Sequence, residues 1–205
     1  MDVRSHWDRI FSPKTSEQIT WYQPHLQLSL ELVGQTGIDP SARIIDVGAG
    51  DSTLVDDLLD LGFHDVTVLD ASPVALQRIR ERLGGRTKYV TFLEAELFSA
   101  NLPEDRYDLW HDRALFHFMV DPRDRQRYAQ AARRALKTGG NLVIATFAGD
   151  GPESCSGLQT RRYSPEGLLE EFGTAFELLD SRRETHRTPA GSEQRFLYCL
   201  FRKTE

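Results

Sequence analysis

The chain has 205 residues, 40% of them hydrophobic and 27% charged, and a net charge of −6. That length suits one domain with a sizeable core, and the acidic balance excludes non-specific nucleic-acid binding, which needs a basic surface. No apolar run approaches the roughly 18 residues of a spanning helix, the start lacks the apolar core of a secretory signal, and Cys155 and Cys199 lie too far apart for a disulfide framework or metal site. A cytoplasmic protein with no membrane and no nucleic-acid partner is expected.

Residues 1–40 precede the first strand. Trp7, Ile10 and Phe11 can cover an apolar face, Ser12 to Ser16 is a turn, and Trp21-Tyr22-Gln23-Pro24 leads into a helix that ends at Gly34. Trp21 and Tyr22 read from their residue type as aromatics packed on the core. The run Arg43 to Val47 is apolar, β-branched and too short for a helix, so it reads as a buried strand. Gly48 and Gly50 then allow a tight turn with close ligand approach. Ser52 caps a helix over Thr53–Leu61.

The details of this turn choose between ligands. A dinucleotide fingerprint wants a third glycine where Thr53 stands. Asp51 would also repel a pyrophosphate at the helix start. Two carboxylates, Asp46 and Asp51, suit an amino group or a sulfonium instead. Asp70 ends the next apolar strand, Val66 to Leu69, 20 residues after Gly50, where an acid accepts hydrogen bonds from ribose hydroxyls. An adenosine with an amino-acid tail in place of phosphates, S-adenosylmethionine, satisfies both demands.

Ser72-Pro73 opens a helix over 73–83, and Tyr89 to Leu93 is a third strand with Glu96 just beyond it. Tyr107 to Trp110 is a fourth strand that exits into His111-Asp112-Arg113, the edge where open parallel sheets bind ligands. His117 follows among apolar residues, a setting that reads first as core. Asp121-Pro122 caps a helix running to Lys137, and Asn141 to Phe147 is a fifth strand. The long polar exit from Ala148 to Gln159 has the character of a functional loop; Cys155 within it reads as an inert thiol, no base standing beside it. A second Ser-Pro pair, Ser164-Pro165, opens another helix. The last third is a hairpin, Phe176 to Arg182 and Arg195 to Phe201, with His186-Arg187 in its turn region.

Residues 43–148 resemble the core of the class I S-adenosylmethionine-dependent methyltransferases. Asp46 to Gly50 matches the first motif of that family, Leu69 to Ser72 the second, Leu93 to Leu97 the third, and Leu136 to Leu142 the late helix-to-strand turn. The resemblance implies an α/β, Rossmann-like seven-stranded sheet, mostly parallel with an antiparallel C-terminal strand. It also implies an N-terminal helical lid over 1–40 and a methyltransferase domain over 41–205. It assigns S-adenosylmethionine to Trp21, Asp46, Gly48, Gly50, Ser52, Asp70, Ala71, Glu96, Leu97 and Asp112. Within the class, Val47 to Ser52 and Asp112-Arg113-Ala114 resemble the small elongation-factor and citrate-synthase lysine methyltransferases. That group typically has Lys where Arg113 stands, so its acceptor does not carry over.

Asp112, Arg113, His117 and His186 are the catalytic candidates, with Asp112, His117 and His186 as bases for a protonated acceptor. Arg113, Arg161, Arg162, His186 and Arg187 fall at the expected active-site edge. Such a group suits a small-molecule acceptor that is a thiol or another anion. The alternative is a protein lysine, met by Asp112, Asp150, Glu153, Trp21 and Tyr22.

Overall fold

Ile44 and Ile45 show how the sheet is made: adjacent in sequence, both fully buried, they enter two different cores on opposite sheet faces. In the computed structural model, which describes residues 2–205, the elements follow in order. They are α1 (Val3–Phe11), α2 (Gln27–Gln35), β1 (Arg43–Val47), α3 (Leu54–Asp60), β2 (Asp65–Asp70), α4 (Pro73–Leu83), β3 (Val90–Glu94) and β4 (Tyr107–Arg113). Then come α5 (Pro122–Ala135), β5 (Leu136–Phe147), β6 (Ser154–Cys155), β7 (Leu158–Gln159), α6 (Pro165–Phe172), β8 (Phe176–Arg187) and β9 (Glu193–Lys203).

Seven strands form one sheet in the order β3-β2-β1-β4-β5-β9-β8. β1 to β5 pair in parallel, and β9 runs antiparallel to both β5 and β8. This is the sheet that the sequence implies. Helices α2, α3 and α4 bury Leu32, Val33, Leu54, Leu58, Leu76 and Ile79 against one face. Helices α5 and α6 bury Tyr128, Ala132, Leu168 and Phe172 against the other. Both faces being covered, the inner strands read as continuous apolar runs.

The fifth strand starts earlier than the sequence suggests, at Leu136 instead of Asn141. Tyr107 pairs with Leu136 and Leu109 with Asn141, so the residues between them bulge out of the ladder. Gly139 takes φ +79 inside that bulge. The polar stretch after β5 folds back as the β6–β7 hairpin, which returns Cys155 and Leu158 toward the sheet edge.

The N-terminal segment lies across the carboxyl ends of the strands. Phe11 and Ile19 are buried with Ala75 of α4, and Trp7, Trp21 and Tyr22 pack around them. Its tethers are polar. Arg78 donates to the carbonyls of Phe11 and Lys14. Ser72 Oγ donates to Asp8 (2.5 Å), and His186 Nε2 donates to the Thr20 carbonyl (2.8 Å). No helix among the described residues is long and apolar enough to cross a membrane.

Candidate active site

The β1 turn takes the shape its glycines permit. Gly48 has φ +66 and Gly50 φ +56, both in the left-handed region. A Cβ at Gly48 would lie 2.8 Å from Leu115 Cβ, and one at Gly50 would lie 3.2 Å from the Phe11 ring. Asp70 locks the turn from the next strand. One carboxylate oxygen accepts from Gly50 N (2.8 Å) and the other from Ser72 N (2.7 Å). Each oxygen keeps a lone pair free. Burial pushes the Asp70 pKa up to about 6.

A cavity of about 380 Å³ opens beside this turn, within the range of small-ligand sites. One end lies over β2 and β3 and is lined by Asp70, Ala71, Glu96, Leu97 and Phe98. Arg127, stacked on Phe98 at 4.0 Å, closes it with Asp124. The other end lies over β4, β5 and β9, with Trp7 and Trp21 of the N-terminal segment as its roof. Gly48 and Gly50 line the same cavity.

The structure therefore brings Trp21, Gly48, Gly50, Asp70, Ala71, Glu96, Leu97, Arg113 and His117 to one cavity. Asp46 and Ser52 line a smaller recess of about 30 Å³ on the far side of the glycine turn. Asp46 accepts from His111 Nδ1 at 2.7 Å, and His111 Nε2 lies 2.9 Å from Ser29 Oγ. Asp51 is not a free carboxylate for a ligand, which corrects the reading from sequence. It is buried against Arg78 (3.0 Å) and accepts from Ser16 Oγ (2.7 Å), so its charge fastens the N-terminal segment to the turn.

Asp112 also differs from its expected place. Its carboxylate lies on the opposite sheet face from Arg113, because successive strand residues alternate. There it accepts from Leu115 N (2.8 Å), Phe116 N (3.0 Å) and Tyr128 OH (2.5 Å). Ala114 between them has φ +77, a strained conformation for a residue with a Cβ. Asp112 is the anchor of that bend, fully buried and out of reach of a base or cofactor-binding role at the cavity. Replacing Asp112 with Ala leaves three donors unpaired, two of them fully buried, and is expected to lower stability by at least about 3 kcal/mol at roughly 1–3 kcal/mol per orphaned group. Urea unfolding checks this; a loss below about 1 kcal/mol would remove the anchoring role.

His186 is buried but lines neither recess. Its Nε2 holds the Thr20 carbonyl and its Nδ1 lies 3.3 Å from Gln23 Nε2, so it clamps the N-terminal segment. The expected gathering of cations is corrected too. Arg161 pairs with Glu171 (3.5 Å), Arg162 with Glu153 (2.9 Å) and Arg187 with Glu193 (3.5 Å), all outside the cavity. Asp150 is taken up by Arg183 and Arg195, so the acids expected to meet a lysine are engaged as well. Arg113 remains, its Nε donating to Tyr198 OH (2.8 Å) and its Nη1 to the Trp21 carbonyl (2.9 Å).

Sequence reasoning missed Phe118, Phe147, Gln194 and Phe196, which line the β4–β5–β9 end. The alternation of Gln194 and Phe196 on one strand was the available signal. Cys155 also lines this end, its thiol pKa raised by burial. No cluster of metal-ligating side chains occurs among the described residues.

A seven-stranded sheet of this order, with a glycine turn after β1 and an acid closing β2, defines the class I methyltransferase architecture. Residues 44–140 match the family described as Methyltransferase domain. That match, the sheet and the relatives below together support a class I S-adenosylmethionine-dependent methyltransferase with S-adenosylmethionine as its cofactor. It is 24% identical over 149 residues to the mouse eEF1A lysine and N-terminal methyltransferase, a match covering 70% of this chain and 21% of that one. The chain thus spans about a fifth of the length of that relative. Human EEF1A lysine methyltransferase 2 is 24% identical, with 88% of this chain and 76% of that one covered. Among solved structures, the Burkholderia thailandensis 1,6-didemethyltoxoflavin-N1-methyltransferase, with its substrate and S-adenosylhomocysteine bound, shares the fold. Its TM-score is 0.77 at 21% identity, covering 100% of this chain and 88% of that one.

Proposed function

We propose that this protein transfers a methyl group from S-adenosylmethionine to a small-molecule acceptor held at the β4–β5–β9 end of the cavity. The observation that carries this reading is the roof: Trp7 and Trp21 belong to the N-terminal segment that closes over that end. An acceptor under such a roof is enclosed, whereas a lysine on a folded protein needs an open approach.

The other end fits the cofactor. The free lone pairs of Asp70 suit ribose hydroxyls, Glu96 and the Leu97 amide suit an adenine edge, and Gly48 and Gly50 line the same cavity, where the amino-acid tail would lie. Bound S-adenosylmethionine supplies a methyl group on a positively charged sulfur, already activated for displacement. The contribution of this chain is then positioning and exclusion of water by the aromatic roof.

The second reading, a protein-lysine methyltransferase, is favoured by the likeness to the eEF1A lysine methyltransferases. Incubation with radiolabelled S-adenosylmethionine and a cell lysate separates the two. Label is expected in the small-molecule fraction; label confined to a protein band would replace the first reading by the second.

A further inference from the structure

The acceptor end carries no carboxylate among the described residues: Asp70, Glu96 and Asp124 all stand at the other end. Its only formal positive charge among the described residues is Arg113, and that charge is matched. Glu184 lies 3.7 Å from Arg113 Nη2, and the guanidinium is fixed by Tyr198, by the Trp21 carbonyl and by the Phe196 ring beneath it at 4.7 Å. Such a wall offers an ammonium no counter-ion and an anion no unmatched cation.

What the wall does offer is aromatic surface and unused hydrogen-bonding capacity. Trp7, Trp21, Phe118, Phe147 and Phe196 surround this end, with Trp7 meeting Trp21 and Phe118 edge-on at 5.9 and 5.3 Å. Such rings offer faces and edges to a further ring held in the cavity, by stacking or edge contact. Three residues of the lining carry buried side-chain polar atoms without a partner among the described residues: Arg113 Nη2, Gln194 Oε1 and both ring nitrogens of His117. Native interiors rarely leave such groups unpaired. The His117 ring packs against Phe118 and Phe147, each at 4.4 Å. Burial pushes its pKa down to about 3, so near pH 7 it is neutral, with one donor and one acceptor nitrogen.

We propose that the acceptor is a flat, uncharged heteroaromatic molecule bearing both a hydrogen-bond acceptor and an N–H or O–H donor, selected by Arg113, Gln194 and His117. Arg113 Nη2 donates to a ring carbonyl or ring nitrogen, Gln194 Oε1 accepts from the N–H or O–H, and His117 adds a bond of either polarity. This inference rests on the small-molecule reading above and narrows it to one acceptor class. A site whose polar atoms are paired only by the right ligand discriminates strongly against analogues lacking those groups.

Binding to the protein loaded with S-adenosylhomocysteine tests it without requiring turnover. The probes are 4-quinolone, naphthalene-2-carboxylate and 1-naphthylmethylammonium, which share a two-ring size and differ in charge and polar edge. Tryptophan quenching or calorimetry is expected to show 4-quinolone binding at least tenfold more tightly than either charged probe. Gln194→Leu and His117→Phe are each expected to weaken 4-quinolone at least tenfold, with S-adenosylhomocysteine affinity unchanged. The proposal is overturned if a charged probe binds as tightly as 4-quinolone, if 4-quinolone does not bind the loaded protein, or if both variants bind it as the wild type does. Label appearing only on protein in the lysate assay would sink the small-molecule reading separately, since that assay does not depend on these probes.

Discussion

Asp70→Asn is expected to weaken S-adenosylmethionine binding by at least a hundredfold, measured by calorimetry. Two effects act together. The carboxylate is the group best placed to accept from ribose hydroxyls, and hydrogen bonds to a charged group are worth about 1.5–3 kcal/mol each. Both of its oxygens also accept from backbone amides, at Gly50 and Ser72. An asparagine must turn an N–H₂ toward one of those amides, donor against donor, which disturbs the glycine turn itself. Affinity within threefold of wild type would remove Asp70 from the site. The same carboxylate sets a pH dependence. Its pKa in the free protein is raised to about 6, and the hydroxyl donors prefer its ionised form. Affinity is therefore full above pH 7 and falls as pH drops through 6, by about tenfold at pH 5 relative to pH 8. For folding the sign reverses. A carboxyl whose folded pKa exceeds its unfolded one contributes stability below about pH 3.8, and that contribution is lost as pH rises through 6.

Gly48→Val is expected to abolish cofactor binding and to lower stability by about 2–6 kcal/mol. The left-handed backbone accounts for about 1–3 kcal/mol of this with a β-branched residue. The rest, again about 1–3 kcal/mol, is overpacking, because the new Cβ would lie 2.8 Å from Leu115 Cβ. The position of Leu115 thus adds a folding penalty to the loss of the ligand. Combining Gly48→Val with Leu115→Gly, which removes the clashing Cβ, should recover part of the stability and none of the binding, since the strain at φ +66 remains. Thermal unfolding and calorimetry on the two variants check this. A Gly48→Val protein as stable as wild type would show that the turn can relax away from Leu115.

The two halves of the site differed in how far they could be read in advance. Gly48, Gly50 and Asp70 follow one another along a strand, a turn and the next strand, so their spacing carries their placement. Trp21 and His117 were legible as residue types in suggestive settings and not as neighbours. They meet because the N-terminal segment crosses the sheet edge to the exit of β4. Asp112 and Arg113 were read together as site residues, yet strand alternation forbids both from facing one side. The arginines of the last third were grouped by the edge on which their loops emerge. Each instead found an acid nearby, the ordinary outcome for exposed arginine.

From the sequence alone came the order of the elements and, through the family resemblance, the expectation of a mostly parallel sheet with an antiparallel last strand and of the cofactor. The element order rests on hydrophobic periodicity and the resemblance on short motifs, both local properties of a chain. The tertiary structure decided which carboxylates are free, which cations are matched and what encloses the acceptor. Asp51 is neutralised by a residue 27 positions away and Arg113 by one 71 positions away. Charge compensation depends on distance in space, and only the packed fold sets that distance.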